Sequence, residues 1–277
     1  MIEQHKNFRA EEQKDLKLMD ELARRLARFH AMDVPIKKTG NWIFDFFDES
    51  YKLSKERFDI KYLIQKSRSQ TLKDNDLGQE LEWLKKTILN VDSPQAFTHV
   101  DFRGCNIMVT QNEGIVLCDF EYSCYGFRGY DFGTIFGEYK GRVYGEWDKP
   151  KEFPSDDTIK PFVMSYIDES VKLRGKTFSE DERNSLEHIL VEVKVFCLVS
   201  LMFFVLFTLK MNESLNPDIP FDKIQFMVRK VLFNTKNNSL FFSLKRKIPK
   251  NSTEFITNSN NCLSTKRSSI ITSNTIK

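Results

Sequence analysis

Three residues in this sequence have types and a spacing that could do chemistry together: Asp101, Asn106 and Asp119. Asp101 follows His99 by two positions and precedes Asn106 by five in the run His99-Val-Asp101-Phe-Arg-Gly-Cys-Asn106. Asp119-Phe-Glu121 comes about a dozen residues later. The reaction that needs this set is phosphoryl transfer. It asks a protein for position and charge: a carboxylate to accept the proton of the attacking hydroxyl, and oxygen ligands to hold Mg²⁺ against the phosphates. Asp101 is the candidate base, and Asn106 and Asp119 are the hard-oxygen ligands that magnesium accepts. Each of the three alone is a common turn or cap residue; their joint spacing carries the reading.

The flanking pattern supplies the elements that would position them. Ala96-Phe97-Thr98 leads into the loop, Ile107 to Thr110 reads as a strand, and Gln111-Asn112-Glu113-Gly114 as a hairpin turn. Ile115 to Cys118 is an apolar return strand that delivers Asp119. Both metal ligands then sit at the ends of paired strands.

The run from Asp119 to Glu138, DFEYSCYGFRGYDFGTIFGE, resembles the signature of the choline/ethanolamine kinase family, DFEYSxYNxRxFDxxNxFxE. Asp119, Phe120, Glu121, Tyr122, Ser123, Tyr125, Arg128, Asp131, Phe136 and Glu138 match. Gly126 and Thr134 stand where the pattern has asparagine, and Tyr130 where it has phenylalanine. The resemblance implies an α+β, protein-kinase-like C-terminal lobe, mostly helical with a small catalytic-loop hairpin. It further implies ATP and Mg²⁺ as cofactors, and choline or ethanolamine as acceptor.

The same resemblance implies an ammonium pocket. Glu121, Tyr122 and Glu138 would line it, with Phe204 and Phe207 at the positions where the family has two tryptophans. A choline headgroup has no N–H to donate, so aromatic faces and carboxylates hold it, and phenylalanine is a weaker cation–π partner than tryptophan. Arg128 and Asp131 are expected to form a structural ion pair supporting the loop.

The chain has 277 residues, a net charge of +3 and 40% apolar residues, an ordinary globular composition that calls for no nucleic acid. Cysteines 105, 118, 124, 197 and 262 form no CxxC pair, which argues against a zinc site or disulfide framework and fits a reducing, cytoplasmic setting. The N-terminus is too polar for a secretory signal.

Leu16, Met19, Leu22, Ala23, Leu26 and Phe29 recur at helical steps up to Asp33-Val34-Pro35, and His30 near the end reads as a packing or surface residue. In the resembling family a similar LARFHAM-like helix leads to a proline and a tryptophan, here Trp42, but follows a whole ATP-clamping lobe. Here about fifteen residues precede it and no glycine comes before Gly40, so the chain reads as a C-terminal lobe without that clamp. A second reading follows: a catalytically weak binding or regulatory subunit, as a homodimer or as the partner of a full-length kinase.

Trp42, Phe44, Phe46, Phe47 and Tyr51 read as a core-packing cluster, Lys61 to Asp76 as exposed, and Leu77 to Ile88 as a helix ended by Asp92-Ser93-Pro94. Tyr139 to Pro150 is an irregular aromatic stretch. Pro154-Ser155-Asp156-Asp157 starts a helix, and Ser179 is the expected N-cap of the next. That helix contains Val195 to Leu209, fifteen residues without a charge. A membrane span needs roughly 18 to 20 apolar residues, so a buried helix and no transmembrane segment are expected. Residues 1–233 form the kinase-like unit. Residues 234–277 hold eight Asn, eight Ser and six Thr, with eight Lys or Arg against Glu254, and are expected to be a disordered basic tail.

Overall fold

The computed structural model describes residues 5–9, 11–38, 42–66, 76–110, 114–138 and 153–211. The aromatic stretch at 139–150 and the basic tail at 234–277 lie outside the described residues. The architecture is α+β: eight helices among the described residues surround two small antiparallel sheets.

Helix α1 (Leu16–His30) begins where the Asp15 side chain accepts the N–H groups of Lys17 and Leu18. Its stripe buries Met19, Leu22, Ala23, Leu26 and Phe29, whereas Leu16, expected on the same stripe, is 71% exposed because the first turn overhangs the core. Strand β1 (His5–Asn7) pairs with β3 (Ile107–Thr110), which pairs in turn with β4 (Gly114–Leu117). The expected hairpin is therefore present, with Ile107 opposite Leu117 and Thr110 opposite Gly114. Strands β2 (Gln95–Thr98) and β5 (Cys124–Phe127) form the second sheet.

Helix α2 (Trp42–Arg57) carries the aromatic cluster: Phe47 is fully buried, and Phe46 stacks on Phe203 with ring centroids 4.4 Å apart. Helix α3 (Ile60–Lys66) is followed by α4 (Leu77–Val91), capped by Asp76 and ended by Asp92 in the left-handed region. Lys61 and Tyr62 are exposed as expected, and 67–75 lie outside the described residues.

Helices α5 (Gly129–Gly137) and α6 (Asp156–Arg174) complete the layer around α1, with Ser155 capping α6 through Thr158 N–H. Ser179 is not the cap of the last helix. It ends the short helix α7 (Lys176–Ser179), where its hydroxyl donates to Lys176 O at 2.9 Å. A turn through Asp181 intervenes, so Ser185 instead accepts the His188 N–H at 3.2 Å at the start of α8 (Leu186–Met211).

Helix α8 is the core of the fold and packs against α2, α4, α5 and α6. Its segment Leu186–Phe207, 22 residues, is long and apolar enough to cross a membrane, more than the fifteen-residue run suggested, and 67% of its most apolar window is buried within the protein. Its approach to α5 needs glycine: a Cβ on Gly133 would lie 2.2 Å from Phe196 O, a backbone atom that cannot swing aside.

Candidate active site

The loop that carries Asp101 is held from beneath by one carboxylate. Asp131, on the first turn of α5 and fully buried, accepts the His99 N–H and the Val100 N–H at 2.8 Å each, and His30 Nε2 at 3.0 Å. Val100 has φ 72, a conformation that costs a β-branched residue of order 1–3 kcal/mol and persists only where its surroundings hold it. Asp131 does so from one side and thereby sets the direction in which the next residue, Asp101, leaves the backbone.

Burial pushes the His30 imidazole below its ordinary pKa of 6.5, so the ring is neutral. A carboxylate only accepts, so Nε2 carries the proton toward Asp131 and Nδ1 accepts from Tyr166 Oη at 3.0 Å. His99, also fully buried, donates Nε2–H to Cys118 O at 3.0 Å and fixes the end of β4 just before Asp119.

Asp101 and Asn106 are brought together. The Asn106 amide nitrogen donates to Asp101 Oδ2 at 2.6 Å and to Asp101 O at 3.0 Å across a single turn of 3₁₀ helix, Gly104–Asn106. That turn lies close under β1, since a Cβ on Gly104 would meet Phe8 O at 2.1 Å. With its nitrogen committed to Asp101, Asn106 has Oδ1 as an acceptor, 3.3 Å from the Cys105 thiol. The strand end that holds Asp119 is tied to the same residue: Cys118 N–H donates to Asn106 O at 3.0 Å. Asp119 itself is exposed, in the left-handed region with φ 67, which a short polar side chain tolerates.

Glu121 and Tyr122 follow on the exposed bend after Asp119. The Tyr122 phenol is pushed above its ordinary value by the charge of Glu121 first, with burial and the charges of Asp101 and Asp119 adding. Tyr122 therefore lies within electrostatic reach of three carboxylates of the set. Glu138, at the end of α5, and Phe204 on α8 reach the same place through Arg103. The Arg103 guanidinium is 3.7 Å from Glu138 Oε1 and 6.0 Å from the Phe204 ring centroid. Phe207 lies one turn on and stacks on Phe203 at 5.6 Å, and Phe203 also stacks on Phe46 of α2.

One expectation is corrected. Arg128 and Asp131 do not pair with each other. Arg128 is buried against Glu192 at 3.0 Å, Asn184 Oδ1 at 2.5 Å and Arg183 O at 2.6 Å, which ties α5 to α8, while Asp131 faces the loop. Each is taken by partners that the fold brings in: Arg128 by Glu192 of α8, and Asp131 by the His99 and Val100 N–H groups and by His30. His30, read as a packing or surface residue, is buried and packed, with its ring nitrogens hydrogen-bonded to Tyr166 and Asp131.

At two of the three departures from the family pattern the structure shows a local role: Gly126 makes room for Trp42, whose Nε1 a Cβ would approach to 2.7 Å. Thr134 hydrogen-bonds back to Tyr130 O at 3.2 Å and Asp131 O at 3.0 Å within its own helix. Arg103 was missed by sequence reasoning. Its signal was available: a cation two residues after a candidate base, inside the loop.

A sequence profile described as choline/ethanolamine kinase matches residues 3–233. The chain is 29% identical over 198 residues to a human choline/ethanolamine kinase, covering 68% of this chain and 49% of that protein. It thus spans about half the length of that relative. Among solved structures, a Plasmodium vivax ethanolamine kinase aligns with TM-score 0.56 at 21% identity, over 84% of this chain and 64% of that one. A Cryptosporidium parvum choline kinase aligns with TM-score 0.61 at 16% identity, over 88% and 69%. These likenesses establish the protein-kinase-like fold, and with the profile match over most of its length the chain belongs to the choline/ethanolamine kinase family.

Proposed function

We propose that this chain carries the acceptor side of a kinase that moves the γ-phosphoryl of ATP to the hydroxyl of choline or ethanolamine, the entry step to phosphatidylcholine or phosphatidylethanolamine synthesis, in the cytoplasm. The observation that supports it best is the Asp101–Asn106 bond of 2.6 Å, a base and a metal ligand locked at the mouth of a strained, buried-carboxylate-supported loop. Asp101 accepts the proton of the substrate hydroxyl as its oxygen attacks the γ-phosphorus and ADP leaves. Asn106 Nδ2 keeps the carboxylate turned toward the acceptor.

Asn106 and Asp119 would hold Mg²⁺, which when bound offsets the charge gathering on the phosphates. The donor set fits. Among the described residues no cluster of three or more His, Cys, Asp and Glu is spaced to hold a metal by itself. One amide oxygen and one exposed carboxylate is the partial shell that Mg²⁺ completes with water and phosphate oxygens.

Glu121, Tyr122, Glu138, Phe204 and Phe207 surround the ammonium in this reading, through carboxylate attraction and aromatic faces. Residues 1–233 form the working unit and 234–277 a basic tail. The test is the product: phosphocholine or phosphoethanolamine formed from ATP, Mg²⁺ and each amino alcohol, followed by ³¹P NMR. Its appearance with either alcohol, and not without one, supports the reading. ATP consumption indifferent to both alcohols contradicts it.

A further inference from the structure

Arg103 is the cation that the proposed ammonium pocket already holds. Its guanidinium meets two carboxylates and an aromatic ring: Nε lies 3.2 Å from Asp101 Oδ1, Nη1 lies 3.7 Å from Glu138 Oε1, and the group sits 6.0 Å from the Phe204 ring centroid. Nε also donates to Cys105 Sγ at 3.0 Å. Carboxylates and an aromatic face are what an organic cation seeks, and Asp101, Glu138 and Phe204 come from the loop, α5 and α8. Arg103 is the side chain that links these three elements.

The setting makes the contact count. The side chains of Arg103, Asp101 and Glu138 are only 17%, 28% and 15% exposed, so these charges are screened less than a surface pair. Arg103 belongs to the same short loop as Asp101 and cannot diffuse away, so it competes at a high effective concentration. Its long stem can nevertheless swing out, since Arg103 precedes the 3₁₀ turn in extended backbone with φ −136 and ψ 164.

We infer that Arg103 is a tethered competitor for the ammonium subsite and sets its affinity for amino alcohols: the substrate cation enters only when the guanidinium leaves Glu138, Asp101 and Phe204. This deepens the proposed function and rests on it. The apparent dissociation constant then equals the intrinsic one divided by the fraction of chains in which Arg103 is out. The factor is the same for choline and ethanolamine, both of which need the carboxylates; an uncharged guest does not need them and is held back less.

The test is calorimetric binding of choline, ethanolamine and 3,3-dimethylbutan-1-ol, the uncharged shape-mimic of choline, to the full chain and to Arg103→Gln and Arg103→Met. Arg103→Met keeps the bulk and length without the charge. Both variants are expected to bind choline about three- to tenfold more tightly than the native chain, the range that one or two partly buried ion pairs account for, with a smaller gain for the uncharged mimic. Native binding of choline that is unchanged or weakened in both variants overturns the competitor role while leaving the pocket assignment standing. An equal gain for the uncharged mimic also overturns it, since Arg103 then acts by volume alone. No binding of either amino alcohol to any of the three proteins overturns both the inference and the pocket.

Discussion

His30 Nε2 and Asp131 Oδ2 meet at 3.0 Å with both side chains fully buried, and this contact joins the end of α1 to the carboxylate that holds the loop leading to Asp101. Although the pair has the geometry of a salt bridge, burial keeps the imidazole neutral, and it acts as a hydrogen-bond donor.

A pH dependence follows. The folded-state pKa of His30 is depressed below its ordinary 6.5, so the unfolded chain takes up the proton first. The stability contributed by the neutral ring is present above that value and is lost as pH falls below it. Denaturant midpoints are expected to drop between about pH 7.5 and about pH 5.5. His30→Phe removes this component of the slope, at a cost of about 1–3 kcal/mol for the bonds lost to Asp131 and Tyr166. An unchanged slope in His30→Phe would assign the acid sensitivity to other groups.

Asp131→Ala leaves the His99 and Val100 N–H groups buried without their acceptor. Each such loss costs about 1–3 kcal/mol, so a total of about 3 kcal/mol or more is expected in urea unfolding. Val100 is then free to leave its strained conformation. Any catalysis by Asp101 should fall with it, at denaturant concentrations where the variant is still folded.

Arg128 and Glu192 form the buried pair that fastens α5 to α8. Arg128→Met strands a buried carboxylate, and about 3–5 kcal/mol should be lost. Arg128→Met combined with Glu192→Leu removes both charges and should recover much of that loss. A double variant no better than the single one would mean that Asn184 and Ser93, which also bind this pair, matter more than the charges do.

How much of this was legible follows from contact range. The hairpin and the Asp101, Asn106 and Asp119 set are written within twenty residues, in turn chemistry and strand alternation, and the fold returns them at strand and turn ends as read. Arg128–Glu192 spans 64 residues and His30–Asp131 spans 101, so no local period marks either. Instead the local reading paired Arg128 with Asp131, its near neighbour in sequence. Ser179 was read as a cap by residue type, which cannot tell a serine that ends one helix from a serine six residues later that starts the next. The overhanging Leu16 fits the stripe by period and misses the core by position.

Phe204 and Phe207 stand where the resembling family carries tryptophan. With tryptophan the stronger cation–π partner, Phe204→Trp with Phe207→Trp is expected to tighten choline binding, by about 0.5–1 kcal/mol per ring that contacts the cation. Titration of the single variants separates them. Phe204, beside Arg103, should give the larger effect, and Phe207, stacked on Phe203, the smaller. No change in either variant would remove these rings from the pocket.

The most direct test of the central claim is coupled ATP turnover by the purified chain with Mg²⁺ and choline or ethanolamine, set beside Asp101→Asn. That substitution keeps the shape of the side chain and removes the proton acceptor. The expected result is alcohol-dependent turnover that falls by about 10²–10⁴-fold in Asp101→Asn, the usual contribution of a positioned base, with amino-alcohol binding retained. Turnover that survives the substitution would show that Asp101 is not the base. Choline binding without turnover in the native chain would make it a binding subunit.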